Sequence, residues 1–230
     1  MTEIIPAAIP HDHAELEKYA NTIRGFADRF HLDVNDGVFD PAVSWPCGEG
    51  QFAELEQAAG DHRLPFSDVL RYEVHLMVSD PQRLGEFFAR AGAVCVIAHV
   101  EAFPDENEAR RTFQAWRASG AHEIGIALLL DTPLSKIDAL ASDVDIVHTM
   151  SIARVGFQKQ AFEEKVIERI RRIHAQYSKL IIADDGGVSE GNVTALVEAG
   201  VTRLVVGSAI IEAPDPEAAY RGLLSRANAI

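Results

Sequence analysis

The stretch Phe30-His31-Leu32-Asp33-Val34-Asn35-Asp36-Gly37 reads as a strand running into a turn, and it holds the residues best suited to chemistry. Side chains alternate across a strand, so His31 and Asp33 share one face while Leu32 and Val34 share the other. An imidazole beside a carboxylate at a strand end is costly to bury without a partner. Similar polar ends recur after two later apolar runs, as His75 and as the Asp184-Asp185 pair. Imidazoles and carboxylates together suit a borderline divalent ion such as Zn²⁺, Fe²⁺, Mn²⁺ or Co²⁺. The three strand ends are expected to converge on one such ion. Recurrence carries that expectation, since donors on separate strands obey no spacing rule.

A second feature is glycine after the last two apolar runs, Gly186-Gly187 and Gly207-Ser208. In eightfold β/α barrels these two loops most often hold a phosphate, because glycine lets backbone N–H groups approach an anion closely. Tight βα turns would place the same glycines there. His99 and Glu101 repeat the alternating pattern, but an ordinary loop role is expected. Met77 and Met150 read as core filler. His11, His13, His62, His122 and His174 lie in polar or helical surroundings and read as solvated.

Eight short apolar runs must position these groups: Glu3–Ile9, Arg29–Val34, Tyr72–Val78, Val94–Val100, Glu123–Leu130, Val144–Met150, Lys179–Asp184 and Thr202–Val206. Helical or turn-rich stretches separate them. Asp12 with Glu15 predicts a capped helix whose apolar face is Leu16, Tyr19, Ala20, Ile23, Phe26 and Ala27. Further helices are predicted over Gln51–Ala59, from Pro81, over Phe162–Tyr177, up to Gly200, and after Pro214-Asp215-Pro216. Glu168 and Arg172 form an i,i+4 pair on one of them. Regular alternation of strand and helix implies a parallel sheet covered on both faces. The expected fold is a (β/α)8 TIM barrel spanning residues 1–230 as a single domain, with an open doubly wound sheet as the competitor.

Of the 230 residues, 47% are hydrophobic, enough for a substantial core. The formal net charge of −14 argues against nucleic acid, which requires clustered Lys and Arg, but leaves room for a small phosphorylated ligand. Cys47 and Cys95 lack paired spacing and read as free thiols of a reducing compartment. With no signal-peptide pattern and no apolar run of roughly 18 residues, a cytoplasmic protein without a membrane partner is expected.

At these residues the sequence resembles the ribulose-phosphate 3-epimerase family. His31-Leu32-Asp33-Val34-Asn35-Asp36-Gly37-Val38-Phe39 resembles the family's H-x-D-V-M-D-G-x-F, and His75-Leu76-Met77-Val78 is identical to its H-L-M-V. Met150-Ser151 with Gly156-Phe157 and Gln160 resembles M-S-V-x-P-G-F-G-G-Q. Asp185-Gly186-Gly187-Val188 and Val206-Gly207-Ser208-Ala209-Ile210 match D-G-G-V and G-S-A-I/V. The motifs keep their order over nearly the whole chain.

The resemblance implies a ribulose-phosphate-binding type of barrel with metal ligands at His31, Asp33, His75 and Asp185. It selects Asp185 over Asp184 and makes Asp33 and Asp185 the two acid/base groups. It implies substrate or phosphate contacts at His75, Gly156, Phe157, Gln158, Lys159, Gly186, Gly187, Gly207 and Ser208. The implied reaction is metal-dependent epimerisation of D-ribulose 5-phosphate and D-xylulose 5-phosphate through an enediolate, within the pentose phosphate pathway. Homo-oligomerisation is implied as well.

Departures qualify the substrate. The family's P-S-x-L-S is Pro6-Ala7-Ala8-Ile9-Pro10 here, so a serine hydroxyl is missing at Ala7. A methionine becomes Asn35, and the asparagine-proline after the fifth strand becomes Leu129-Leu130. The phosphate loop loses two glycines, and Lys159 either supplies a cation in their place or is a loop lysine. Another ketose phosphate, such as D-allulose 6-phosphate, is therefore a second expectation, and a non-catalytic sugar-phosphate-binding relative a third.

Overall fold

The apolar runs close on one another. In the computed structural model, which describes residues 1–229, eight parallel strands form a barrel in sequential order, with the eighth paired back to the first. Residue 230 of the expected domain lies outside the described residues. The strands are β1 (Glu3–Ala8), β2 (Arg29–Asn35), β3 (Arg71–Met77), β4 (Cys95–His99), β5 (Glu123–Leu128), β6 (Ile146–Met150), β7 (Ile181–Asp185) and β8 (Arg203–Val206). Around them lie helices α1 (His13–Ile23), α2 (Phe52–Asp61), α3 (Pro81–Arg90), α4 (Glu106–Ala118), α5 (Ser135–Asp138), α6 (Lys165–Gln176), α7 (Val193–Ala199), α8 (Ser208–Ile211) and α9 (Pro216–Ala227). Closure removes every sheet edge, which decides against the open doubly wound alternative.

Each strand buries both faces, but against different partners. Outward residues such as Phe30, Leu32, Val74, Val96, Ile126, Val147, Ile182 and Leu204 pack into one large core with the helices. Inward residues Cys95, Ile97, Ala127, Ile146 and Ala183 form a small separate cluster. The rest of the interior is polar. Near the strand starts Arg203 contacts Glu73 at 2.6 Å, Glu123 at 2.9 Å and Glu3 at 3.0 Å, and Arg29 joins Glu123 at 3.2 Å. Toward the strand ends lie imidazoles and carboxylates, so the barrel's filling is itself graded from arginine–carboxylate ion pairs to a cluster of histidines and aspartates.

Local signals set the helix starts. Asp12 accepts from Glu15 N at 2.8 Å, while His11 N donates to Glu15 Oε2 at 2.9 Å, satisfying two backbone donors at the start of α1. Gly200, at φ 113°, takes the left-handed conformation that ends α7. Two expectations are corrected. Helix α6 begins at Lys165 rather than Phe162, because Glu163 N is tied to Ser151 O on the β6 loop at 2.9 Å. On that helix Glu168 pairs with Arg171 at 3.5 Å, one residue before the expected Arg172.

Candidate metal centre and active site

His31 and Asp33 project from β2, His75 from β3 and Asp185 from the last position of β7, all toward the same end of the barrel. The register pairs Asp33 with His75, so those two side chains are neighbours across adjacent strands. His75 Nδ1 lies 3.0 Å from Asp33 Oδ1 and 3.9 Å from Asp185 Oδ2, and His31 Nε2 lies 3.4 Å from Asp33 Oδ1. Asp184 turns the other way, accepting from Thr149 Oγ1 at 2.8 Å and Ser151 Oγ at 2.9 Å. Alternation along β7 therefore separates two adjacent carboxylates into one outward and one inward group.

Sequence reasoning does not single out His148 on β6. It is fully buried, and its Nε2 lies 3.6 Å from Asp185 Oδ2. Ligand atoms of His31, His75, His148 and Asp185 all fall within 4.8 Å of one another. The only signal for it is an imidazole two positions before Met150, on the inward face of a strand whose one other polar residue, Thr149, faces outward to Asp184. His99 also differs from expectation. Rather than serving a loop, it is fully buried, with Nε2 3.0 Å from His75 Nε2 and its ring stacked on that imidazole at 5.0 Å. Glu101 lies 3.3 Å behind it.

A divalent ion suits these residues. Donors about 2.0–2.2 Å from a shared ion lie roughly 3–4.4 Å apart, and the spacings of 3.0, 3.4, 3.6 and 3.9 Å fall in that range. His31 Nε2 is buried without a hydrogen-bond partner among the described residues. Its Nδ1 lies 2.7 Å from Glu73 Oε1. A carboxylate only accepts, so Nδ1–H donates and Nε2 is left facing the other donors.

The electrostatics follow from burial and proximity. Burial lowers the His31 pKa, but the close carboxylates of Asp33 and Glu73 outweigh it and raise it to about 10. Burial raises Asp33, yet the hydrogen bond from His75 and the proximity of His31 hold it well below the usual carboxylate range. Burial and the charge of Asp33 instead push Asp185 upward. Environments that drive two carboxyls apart in this way suit an acid and a base.

Above the cluster opens a cavity of about 410 Å³ lined by Asp33 and Asp185. Gly156, Phe157, Gln158 and Lys159 of the β6 loop line it, as do Gly186 and Gly187 after β7 and Gly207 and Ser208 after β8. His31 and His75 lie beneath, with no exposed surface. Met77 and Met150, two positions after the inward-facing His75 and His148, are buried in a small apolar cluster as expected of core residues and also border this cavity. Gly187 adopts φ 63°, and a Cβ there would stand 2.9 Å from Phe162 N, so this turn requires glycine. Lys159 Nζ is engaged by Glu212 Oε2 at 2.6 Å, which pairs the loop cation with an acid across the cavity rim.

A family model described as the ribulose-phosphate 3 epimerase family matches residues 3–211. Ribulose-phosphate 3-epimerase 2 of Cupriavidus necator is 36% identical, covering 97% of this chain and 90% of that protein. Ribulose-phosphate 3-epimerase of Aquifex aeolicus is 33% identical, covering 91% and 89%. Among solved structures, KGPDC from Streptococcus mutans superposes with a TM-score of 0.71 at 14% identity, covering 100% of this chain and 99% of that one. 3-Hexulose-6-phosphate synthase from Salmonella typhimurium gives 0.70 at 16% identity, covering 98% of each. At these identities the two structures speak for the barrel alone.

Proposed function

Because the chain belongs to the ribulose-phosphate 3-epimerase family, we propose that it interconverts D-ribulose 5-phosphate and D-xylulose 5-phosphate. The observation that carries this reading is the cavity whose floor holds both Asp33 and Asp185 and whose rim carries the glycine loops. One carboxylate removes the weakly acidic C3 proton, and the other returns a proton to the opposite face of the planar enediolate. His31, Asp33, His75 and Asp185 hold one divalent ion, of the class Zn²⁺, Fe²⁺, Mn²⁺ or Co²⁺. When bound, that ion polarises the ketose carbonyl and offsets the charge developing on its oxygens.

The chain's own residues do the rest. Glu73 fixes the tautomer of His31, and His99 sits against the far nitrogen of His75, so both imidazoles are held in orientation. Backbone amides around Gly156, Phe157, Gln158, Gly186, Gly187, Gly207 and Ser208 bind the phosphate, with Lys159 near the rim. Met77 and Met150 wall the reacting carbon from water. Residues 1–230 act as one barrel domain, and the protein works in the pentose phosphate pathway of the cytoplasm as a homo-oligomer. Among the described residues no helix is long and apolar enough to cross a membrane, and both cysteines are free.

The test is turnover of D-ribulose 5-phosphate by protein stripped with chelator and then reloaded with each of the four ions. Activity absent under every condition would sink the proposal. Ala7 on the cavity wall favours a second reading, in which a different ketose phosphate such as D-allulose 6-phosphate is the better substrate. Comparing kcat/KM across five- and six-carbon ketose phosphates separates the two. Failure of solvent deuterium to enter any of them would leave a sugar-phosphate-binding protein without turnover.

A further inference from the structure

We propose that His148 is a fifth donor to the ion, so that three imidazoles and two carboxylates surround it. This rests on the metal-dependent reading above and extends its ligand set to β6. His148 is fully buried, and neither ring nitrogen has a hydrogen-bond partner among the described residues. Its register neighbours on both adjacent strands are Ala127 and Ala183, whose side chains offer no polar atom. Burying both nitrogens unpaired is costly, and a core position there is as easily filled by an aliphatic side chain.

The groups His148 does meet are those of the centre. Its ring lies parallel to that of His31, 5.4 Å away at 12°, and 4.6 Å from that of His75. Its Nε2 stands 3.6 Å from Asp185 Oδ2, the separation of two donors on one ion. His148, His31, His75 and Asp185 form a mutually close ligand group, with Asp33 packed against the first two imidazoles of the original set. A third nitrogen moves the donor set toward ions that favour imidazole, Zn²⁺, Fe²⁺ and Co²⁺, and away from Mn²⁺.

Three measurements test this. Wild type, His148→Leu and His148→Gln, each confirmed folded by its thermal transition, are stripped and titrated with Co²⁺ against a competing chelator. Wild type is expected to bind one Co²⁺, and both variants to bind it at least about tenfold more weakly with an altered visible ligand-field spectrum. Histidine-¹⁵N spectra of the Zn²⁺-loaded wild type should then show three ion-shifted imidazoles, which needs no variant to fold. Unchanged affinity and spectrum in a folded variant, or only two shifted imidazoles, would overturn the role of His148 while the metal centre stands. Wild type binding neither ion would overturn both.

Discussion

His31 donates its Nδ1–H to Glu73 at 2.7 Å, and both side chains are fully buried. Glu73 is in turn gripped by Arg203 at 2.6 Å, so the orientation of an imidazole in the histidine–aspartate cluster is set from the opposite end of the barrel. Carboxylates behind ligating imidazoles raise their basicity and hold the ring, and losing one typically costs 10–100-fold in metal affinity. Glu73→Gln keeps the shape but removes the charge. Its Kd for Zn²⁺ should rise by about that factor, read by chelator competition; an unchanged Kd would mean that Glu73 only neutralises Arg203.

Asp33 and Asp185 approach the same nitrogen of His75 and both border the cavity. Either one changed to Asn keeps size and polarity but can neither take nor return a proton at the rate required. Each variant should lose at least roughly 10²–10⁴-fold in kcat, with a circular dichroism spectrum like that of wild type. Loss of a carboxylate ligand would also weaken ion binding, so kcat is measured at saturating metal.

How far the sequence discloses this centre depends on where each side chain points. His31, Asp33 and His75 are legible because alternation along a strand puts these polar residues on one face and Leu32, Val34 and Leu76 on the other. The eight strands are legible for the same reason, and their order follows from β/α alternation. His148 is not, because a single histidine inside an apolar run is indistinguishable from a core residue until the barrel closes and brings β6 opposite β2. His99 misleads in the sequence because only the fold reveals that it stacks on His75. Choosing between Asp184 and Asp185 needs the exact end of β7, the feature that periodicity fixes least well.

Asp184 supplies a pH prediction. Burial pushes its carboxyl up to about 7, against the lowering effect of hydrogen bonds from Thr149 and Ser151. A carboxyl whose folded pKa is raised favours folding below its unfolded value and loses that contribution as pH climbs to the folded one. Metal-free protein should therefore lose stability through Asp184 between about pH 4 and pH 7. Asp184→Asn stays neutral throughout. The Tm of the variant relative to wild type should be higher at pH 8 than at pH 5; a difference independent of pH would refute the raised value.

Arg203 reaches three acids from a side chain that is 3% exposed. Removing one member of a buried ionic group strands the others, at a cost of about 3–5 kcal/mol. Arg203→Met should be destabilised by about that amount in urea. Arg226→Met is the control: its pairing with Glu190 at 2.9 Å is exposed on both sides, and its loss should cost under about 1 kcal/mol.

The glycine-rich rim of the cavity separates charge from backbone. Lys159 is already paired with Glu212 at 2.6 Å, and both side chains are largely exposed, so little of its charge remains for a ligand. Gly187 sits at φ 63° with Phe162 N in the way of any Cβ. Adding one forces the turn to shift, and with it the backbone that borders the cavity. Lys159→Ala should therefore change KM for a ketose phosphate by less than about threefold, consistent with a surface substitution. Gly187→Ala should raise KM at least about tenfold, because it moves hydrogen-bond donors that a charged ligand depends on. The reverse ranking would make the lysine, rather than the backbone, the principal anchor of the phosphate. Inorganic phosphate as a competitive inhibitor gives the same comparison without turnover: its Ki should follow Gly187 and be nearly indifferent to Lys159.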